Sequence, residues 1–123
     1  MKKKILIVDD SQTTRMTIEK MLGEDYDTVQ ATNGVEALEI LRSNQDYSLI
    51  IMDINMPELN GMEFIKIQSE MEEIKQIPTM MCTTEASRPM KEQAKQYGVV
   101  KAWVIKPIIK ELFLRAVDHV LKL

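Results

Sequence analysis

Two adjacent carboxylates at Asp9-Asp10, a third at Asp53, hydroxyls at Thr83-Thr84 and an ammonium at Lys106 are the side chains here whose types could share one chemical task. Brought together, three carboxylates repel one another. At ~4 Å and an effective dielectric near 20, each like-charge pair costs about 4 kcal/mol. Proton uptake or a cation must offset that cost. Oxygen ligands with no His or Cys beside them select a hard cation, Mg²⁺ before Zn²⁺, with Mn²⁺ an acceptable substitute. A carboxylate beside Mg²⁺ and an ammonium suits phosphoryl transfer, which demands positioning and charge neutralisation above all. Asp53 could attack phosphorus and form an acyl phosphate. Mg²⁺ and Lys106 would neutralise the equatorial oxygens, and the Thr83 hydroxyl could donate a hydrogen bond to one of them.

Each part has a plainer reading when taken singly. Asp9-Asp10 fits a polar strand end or a helix cap, and Asp53 before Asn55-Met56-Pro57 fits ordinary turn chemistry. Lys106-Pro107 fits a helix start, where proline is favoured anyway. What joins them is position: each follows or ends a short apolar run.

Those runs, residues 4–8, 48–52, 78–82 and 101–105, have the length and apolarity of strands buried on both faces. Residues 27–31 are less hydrophobic, so that strand is expected nearer an edge. Between the runs the period turns helical. Residues 14–22 group Met16, Ile18, Met21 and Leu22, and residues 34–42 group Val35, Leu38 and Leu41 with Ala37 on the flank. Residues 60–71 offer Met62, Ile65 and Ile67, and residues 87–97 offer Met90, Ala94 and Tyr97, with Gly98 as a stop. Residues 109–121 repeat Leu112, Phe113, Ala116, Val117 and Val120. The ten methionines are expected to pack the core from these helical faces. Five strands alternating with five helices imply an α/β fold, a doubly wound five-stranded parallel sheet flanked by helices. In such a sheet all carboxyl ends meet at one rim, where ligand sites form. The topology therefore carries Asp9, Asp10, Asp53, Thr83 and Lys106 to one edge.

Composition narrows the partners. With 123 residues the expectation is one domain, residues 1–123, with no room for a second. A net charge of −3, with no basic block beyond Lys2-Lys3-Lys4, gives no electrostatic footprint for nucleic acid or an anionic membrane. The apolar run after those lysines stops at Asp9, too short for an export signal, and no run approaches a membrane span. Cys82 has no partner for an internal disulfide and suits a reducing compartment as a small buried hydrophobe, so the expected location is cytoplasmic. His119 falls in the last helix, away from the acidic residues, as a partly exposed helix residue.

At this level of detail the chain resembles the receiver domain of bacterial two-component response regulators. The matching pieces are Ile7-Val8-Asp9-Asp10-Ser11, Asp53-Ile54-Asn55-Met56-Pro57 with Asn60-Gly61, Thr83-Thr84-Glu85, and Trp103-Val104-Ile105-Lys106-Pro107. The resemblance spans essentially the whole chain. It implies a flavodoxin-like sheet of strand order 2-1-3-4-5 and Asp53 as the phospho-acceptor. It also implies Mg²⁺ held by Asp10, Asp53 and the backbone carbonyl of Asn55, with Asp9 acting partly through water. Lys106 would pair with the phosphoryl group, and Thr83 would move toward it on activation. Trp103 stands at the family's switch aromatic, usually Tyr or Phe, and would turn inward behind Thr83. Ile108 stands where many relatives carry Phe, a change expected to alter packing at the head of the last helix.

With no effector domain expected, output would pass through the face made by the fourth helix, fifth strand and fifth helix. Asn55 and Glu85 look like the pair that tunes dephosphorylation in the CheY-like chemotaxis regulators. The implied partners are a histidine kinase of CheA type, a flagellar motor switch protein and a dedicated phosphatase, with the chain monomeric or transiently dimeric. A phosphorelay shuttle or phosphate sink shares this chemistry. An aspartyl-nucleophile phosphatase is a rival from another class, but it wants a second Asp where Asn55 stands. A nucleotide-binding flavodoxin relative would want a glycine-rich loop after the first strand, where Asp9-Asp10 would repel phosphate.

Overall fold

The computed structural model describes residues 2–123. Strands β1 (Lys3–Val8), β2 (Tyr26–Ala31), β3 (Leu49–Met52), β4 (Thr79–Thr83) and β5 (Val100–Ile105) alternate with helices α1 (Gln12–Leu22), α2 (Gly34–Ser43), α3 (Gly61–Glu70), α4 (Arg88–Lys95) and α5 (Lys110–Leu121). A single 3₁₀ turn, Gly23–Asp25, follows α1. The strands form one parallel sheet in the order β2-β1-β3-β4-β5.

Period-two alternation splits the buried strand residues between two cores. Leu6, Val8, Ile50, Met52 and Met81 face α2, α3 and α4, meeting Ala37, Leu41, Phe64, Ile65 and Ala94. Ile5, Ile7, Leu49, Ile51, Met80 and Cys82 face α1 and α5, meeting Ile18, Leu22, Phe113, Val117 and Val120. Because β1, β3 and β4 are covered on both faces, their runs are continuously apolar. Helix starts are set by side-chain caps: Ser11 accepts from the Thr14 amide, Asn33 from Glu36, and Ser87 from Met90. Asn60 and Glu63 form a reciprocal capping box. Among the described residues no helix is long and apolar enough to cross a membrane.

Several expectations need correction. Residues 101–105 were expected to be buried on both faces, but β5 is an edge strand and only half-buried, with Ile105 40% exposed. Met16, Val35 and Leu112 lie on solvent-facing sides of their helices. Arg15, Phe64 and Gln68 take buried positions that the grouping of apolar residues passed over. The fully buried methionines, Met52, Met80 and Met81, come from strands, while the helical Met21, Met62 and Met90 only flank the cores. A thioether fills a narrow slot between sheet and helix as readily from either side.

Candidate functional site

The parallel sheet turns the carboxyl ends of β1, β3, β4 and β5 toward one rim. Asp9 and Asp10 follow β1, Asp53 follows β3, Thr83 ends β4, and Lys106 follows β5. Backbone pairing continues past the strands to fix these residues in register. The Asp9 amide donates to the Ala31 carbonyl at 3.1 Å, the Asp53 amide to Val8 at 3.0 Å, and the Lys106 amide to Thr83 at 2.9 Å.

One oxygen from each of Asp9, Asp10 and Asp53 lies within 4.8 Å of the others. Asp9 and Asp53 are buried, at 2% and 6% exposure, while Asp10 is open to solvent. The Lys106 ammonium bridges two of them, 2.8 Å from Asp9 Oδ2 and 3.2 Å from Asp53 Oδ2. The other Asp9 oxygen accepts from the Ser11 amide at 2.9 Å, and Asp53 Oδ1 from the Ile54 amide at 2.7 Å. Burial pushes the Asp9 carboxyl above its ordinary value, outweighing the Lys106 and Ser11 hydrogen bonds that pull it down. Burial works against the charge of Lys106 too. There the hydrogen bond and charge of Asp9, with the charge of Asp53, prevail and hold the ammonium above its ordinary value.

Three carboxylates against one ammonium leave a net charge of about −2, which one divalent cation would cancel. The donors are all oxygens, so the set fits Mg²⁺ or Mn²⁺ rather than Zn²⁺. His119 lies exposed in α5 and Cys82 is buried beneath the rim, its thiol pushed up to about 12 by burial. Neither is among the clustered ligand atoms.

A second layer of contacts leads away from the acids. Asn55 Nδ2 donates to Glu85 Oε1 at 3.3 Å, and the Glu85 amide donates to Thr83 Oγ1 at 3.3 Å. Trp103 Nε1 donates to the Glu85 carbonyl at 2.9 Å, and Lys91 Nζ lies 5.8 Å from the indole centroid. Thr83 is fully buried, and Trp103 is half-buried on β5. Glu85 thus touches Asn55, Thr83 and Trp103, three of the residues singled out in the sequence. The segment after β3 makes its turn with Glu58 at φ 65° and closes on Gly61. A Cβ at Gly61 would overlap the Asp53 carbonyl oxygen and Ile54 Cα, so the start of α3 approaches the site only because no side chain stands there.

Sequence reasoning missed Arg15. It is 9% exposed, and its Nη1 donates to the Asp9 carbonyl oxygen at 2.5 Å. The signal was present: Arg15, Ile18 and Leu22 fall on one helical face, which places a charge in line with core residues.

The chain is similar to known proteins in sequence and fold. Residues 5–118 match the family model described as the response regulator receiver domain. A chemotaxis protein CheY homolog from Campylobacter jejuni is 36% identical, over 96% of this chain and 92% of that protein. The polar-differentiation response regulator DivK of Brucella anthropi is 30% identical, over 98% of each. The solved structure of chemotaxis protein CheY4 from Vibrio cholerae superposes with a TM-score of 0.89 at 33% identity, covering 98% of this chain and 99% of that one. The parallel sheet in the order β2-β1-β3-β4-β5 and the match to known relatives both extend over nearly the full length, and the chain belongs to the response regulator receiver domain family.

Proposed function

We propose that this chain is a phospho-accepting switch of a two-component system, with Asp53 the acceptor. The observation that carries this reading is the Lys106 ammonium set between Asp9 and Asp53 in a cluster that still holds surplus negative charge. An Asp53 carboxylate oxygen forms a bond to phosphorus as the phosphorus–nitrogen bond of a histidine kinase's phosphohistidine breaks. The imidazole nitrogen leaves with the electron pair. Mg²⁺, held by Asp9, Asp10, Asp53 and the Asn55 carbonyl, would supply charge neutralisation for the phosphoryl oxygens. Lys106 moves from pairing with carboxylates to pairing with the phosphoryl group. Thr83, within one hydrogen bond of Glu85, donates its hydroxyl to a phosphoryl oxygen. Hydrolysis returns the carboxylate and inorganic phosphate, with Asn55 and Glu85 bordering the path of the attacking water.

The output is a change of shape. Recruiting Thr83 disturbs its contact with the Glu85 amide, and Glu85 carries the Trp103 indole on its carbonyl. The ring is thereby coupled to the site and biases the α4–β5–α5 face between two states. The names of relatives favour chemotaxis, with a CheA-type kinase upstream, the flagellar motor switch downstream, and the protein acting in the cytoplasm. The DivK relative favours a second reading, a phosphorelay or cell-differentiation target with the same chemistry. Co-precipitation of the phosphorylated chain with a motor switch protein, against a histidine phosphotransfer protein, separates them.

The chemistry is tested by incubation with a small acyl phosphate and intact-mass measurement. Wild type should gain one phosphoryl group with Mg²⁺ and none with a chelator, and Asp53→Asn none in either. Equal labelling of the variant would refute the assignment.

A further inference from the structure

Arg15 is a buried guanidinium whose partners are neutral oxygens. Among the described residues no carboxylate lies within ion-pair reach of it. Burying such a charge is costly, and an apolar residue in line with Ile18 and Leu22 would complete the core without that cost. Its hydrogen bonds lead in one direction. Nη1 holds the Asp9 carbonyl oxygen, and Nε donates to Gln30 Oε1 at 2.9 Å. Gln30 Nε2 reaches Glu19 Oε2 at 3.2 Å, an oxygen that also accepts from the Thr28 hydroxyl at 2.6 Å. A continuous chain of hydrogen bonds therefore runs from exposed Glu19, across α1 and edge strand β2, to the backbone of Asp9. That backbone is gripped on both sides, its amide by Ala31 and its carbonyl by Arg15.

We propose that Arg15 is a positioning residue for Asp9, held in place by Gln30. By fixing the Asp9 peptide, it directs the carboxylate toward Lys106 and the cation site. This rests on the metal-binding reading above and deepens it. Simple electrostatics gives the opposite expectation. Deleting a positive charge near a cation site tightens cation binding, whereas deleting a support loosens it.

The test uses the full chain with Arg15→Met and Gln30→Leu, which unties Arg15 without altering it. Calorimetric titration with MgCl₂ at constant ionic strength should show affinity falling about tenfold for Arg15→Met and by a smaller factor for Gln30→Leu. Independently of metal, the Ser11 amide donates to Asp9 Oδ1. In chelator, its hydrogen exchange should quicken about tenfold in Arg15→Met, because a released Asp9 no longer holds it. Mg²⁺ affinity unchanged or tighter, together with undiminished Ser11 protection, overturns the proposal. Should Arg15→Met not fold, the same two readouts on Gln30→Leu decide it. If wild type itself takes up no Mg²⁺, the metal-binding reading fails, and the Ser11 exchange still decides the role of Arg15.

Discussion

Two buried polar clusters sit at different places in this molecule and obey different rules. At the amino end of β4, Gln68 is fully buried. Its amide donates to the carbonyls of Ile74 and Ile77 at 3.1 and 2.9 Å, and its oxygen accepts from Thr79 at 2.9 Å. At the carboxyl rim, Asp9, Asp53 and Lys106 are also hydrogen-bonded, yet three acids face one amine and Asp10 is left open to solvent. The first cluster is neutral and closed. It has nothing left to offer a ligand and staples the segment after α3 to the sheet. The second is satisfied in hydrogen bonds but not in charge. Polar groups that complete one another hold structure, and a charge surplus held in place by the fold marks a site.

The contrast can be broken by substitution, and the two clusters should respond with opposite signs. The largest effect is expected from Gln68→Ala, which takes their partner from the Thr79 hydroxyl and the Ile77 carbonyl and removes one of the two donors to the Ile74 carbonyl. A loss of about 3 kcal/mol in urea unfolding follows. A change within about 0.5 kcal/mol would mean that the cluster is not a staple. Asp10→Asn in chelator should instead stabilise the fold by about 1 kcal/mol at low ionic strength, since it removes one repelling charge near the surface. That gain should shrink as salt is added. A destabilised Asp10→Asn protein would show that the acids are not in mutual repulsion.

Cys82 sharpens the comparison, as a nucleophile that belongs to neither cluster. It is 1% exposed, and burial pushes its thiol up to about 12. An alkylating reagent at pH 8 should leave it unmodified in the folded protein and react promptly once urea unfolds the chain. Rapid reaction of the native protein would place a thiolate at the surface. The smallest effect belongs to Glu19, where the Thr28 hydroxyl, then the Gln30 amide, hold the carboxyl below its ordinary value of 4.5. Its folded form binds protons less readily than the unfolded chain. The stability it contributes is therefore present above pH 4.5 and lost as pH falls through the lower, folded value. Glu19→Gln should flatten the fall in stability below pH 4.5, and an unaltered pH profile would show that these hydrogen bonds do not persist in solution.

How far the sequence foretold all this depended on the kind of signal. Strand runs bounded by Asp9 and Asp53 were legible because burial on both faces demands unbroken apolarity, and the run before Lys106 was legible by its apolarity alone; the strand ends then delivered the acids and the amine to one rim. The weak hydrophobicity of residues 27–31 correctly pointed to an edge. The exposure of β5 was not legible, because Trp103, Val104 and Ile105 are apolar whether the face they make is covered or open. Met16, Val35 and Leu112 misled for the same reason: apolar residues lie outside as well as inside. Gln68 and Arg15 were passed over because a polar residue on an apolar face reads as an interruption until its partners are known. The resemblance added what no pattern in the chain could, the expectation that Thr83 and Trp103 move together as a switch.

The surplus charge at the rim is the claim on which the functional reading stands, and stability measured against Mg²⁺ tests it most directly. At constant ionic strength, unfolding free energy should rise with Mg²⁺ concentration, approaching about 1.4 kcal/mol for each tenfold increase above the dissociation constant. A flat line over the millimolar range would mean that Asp9, Asp10 and Asp53 do not form a cation site.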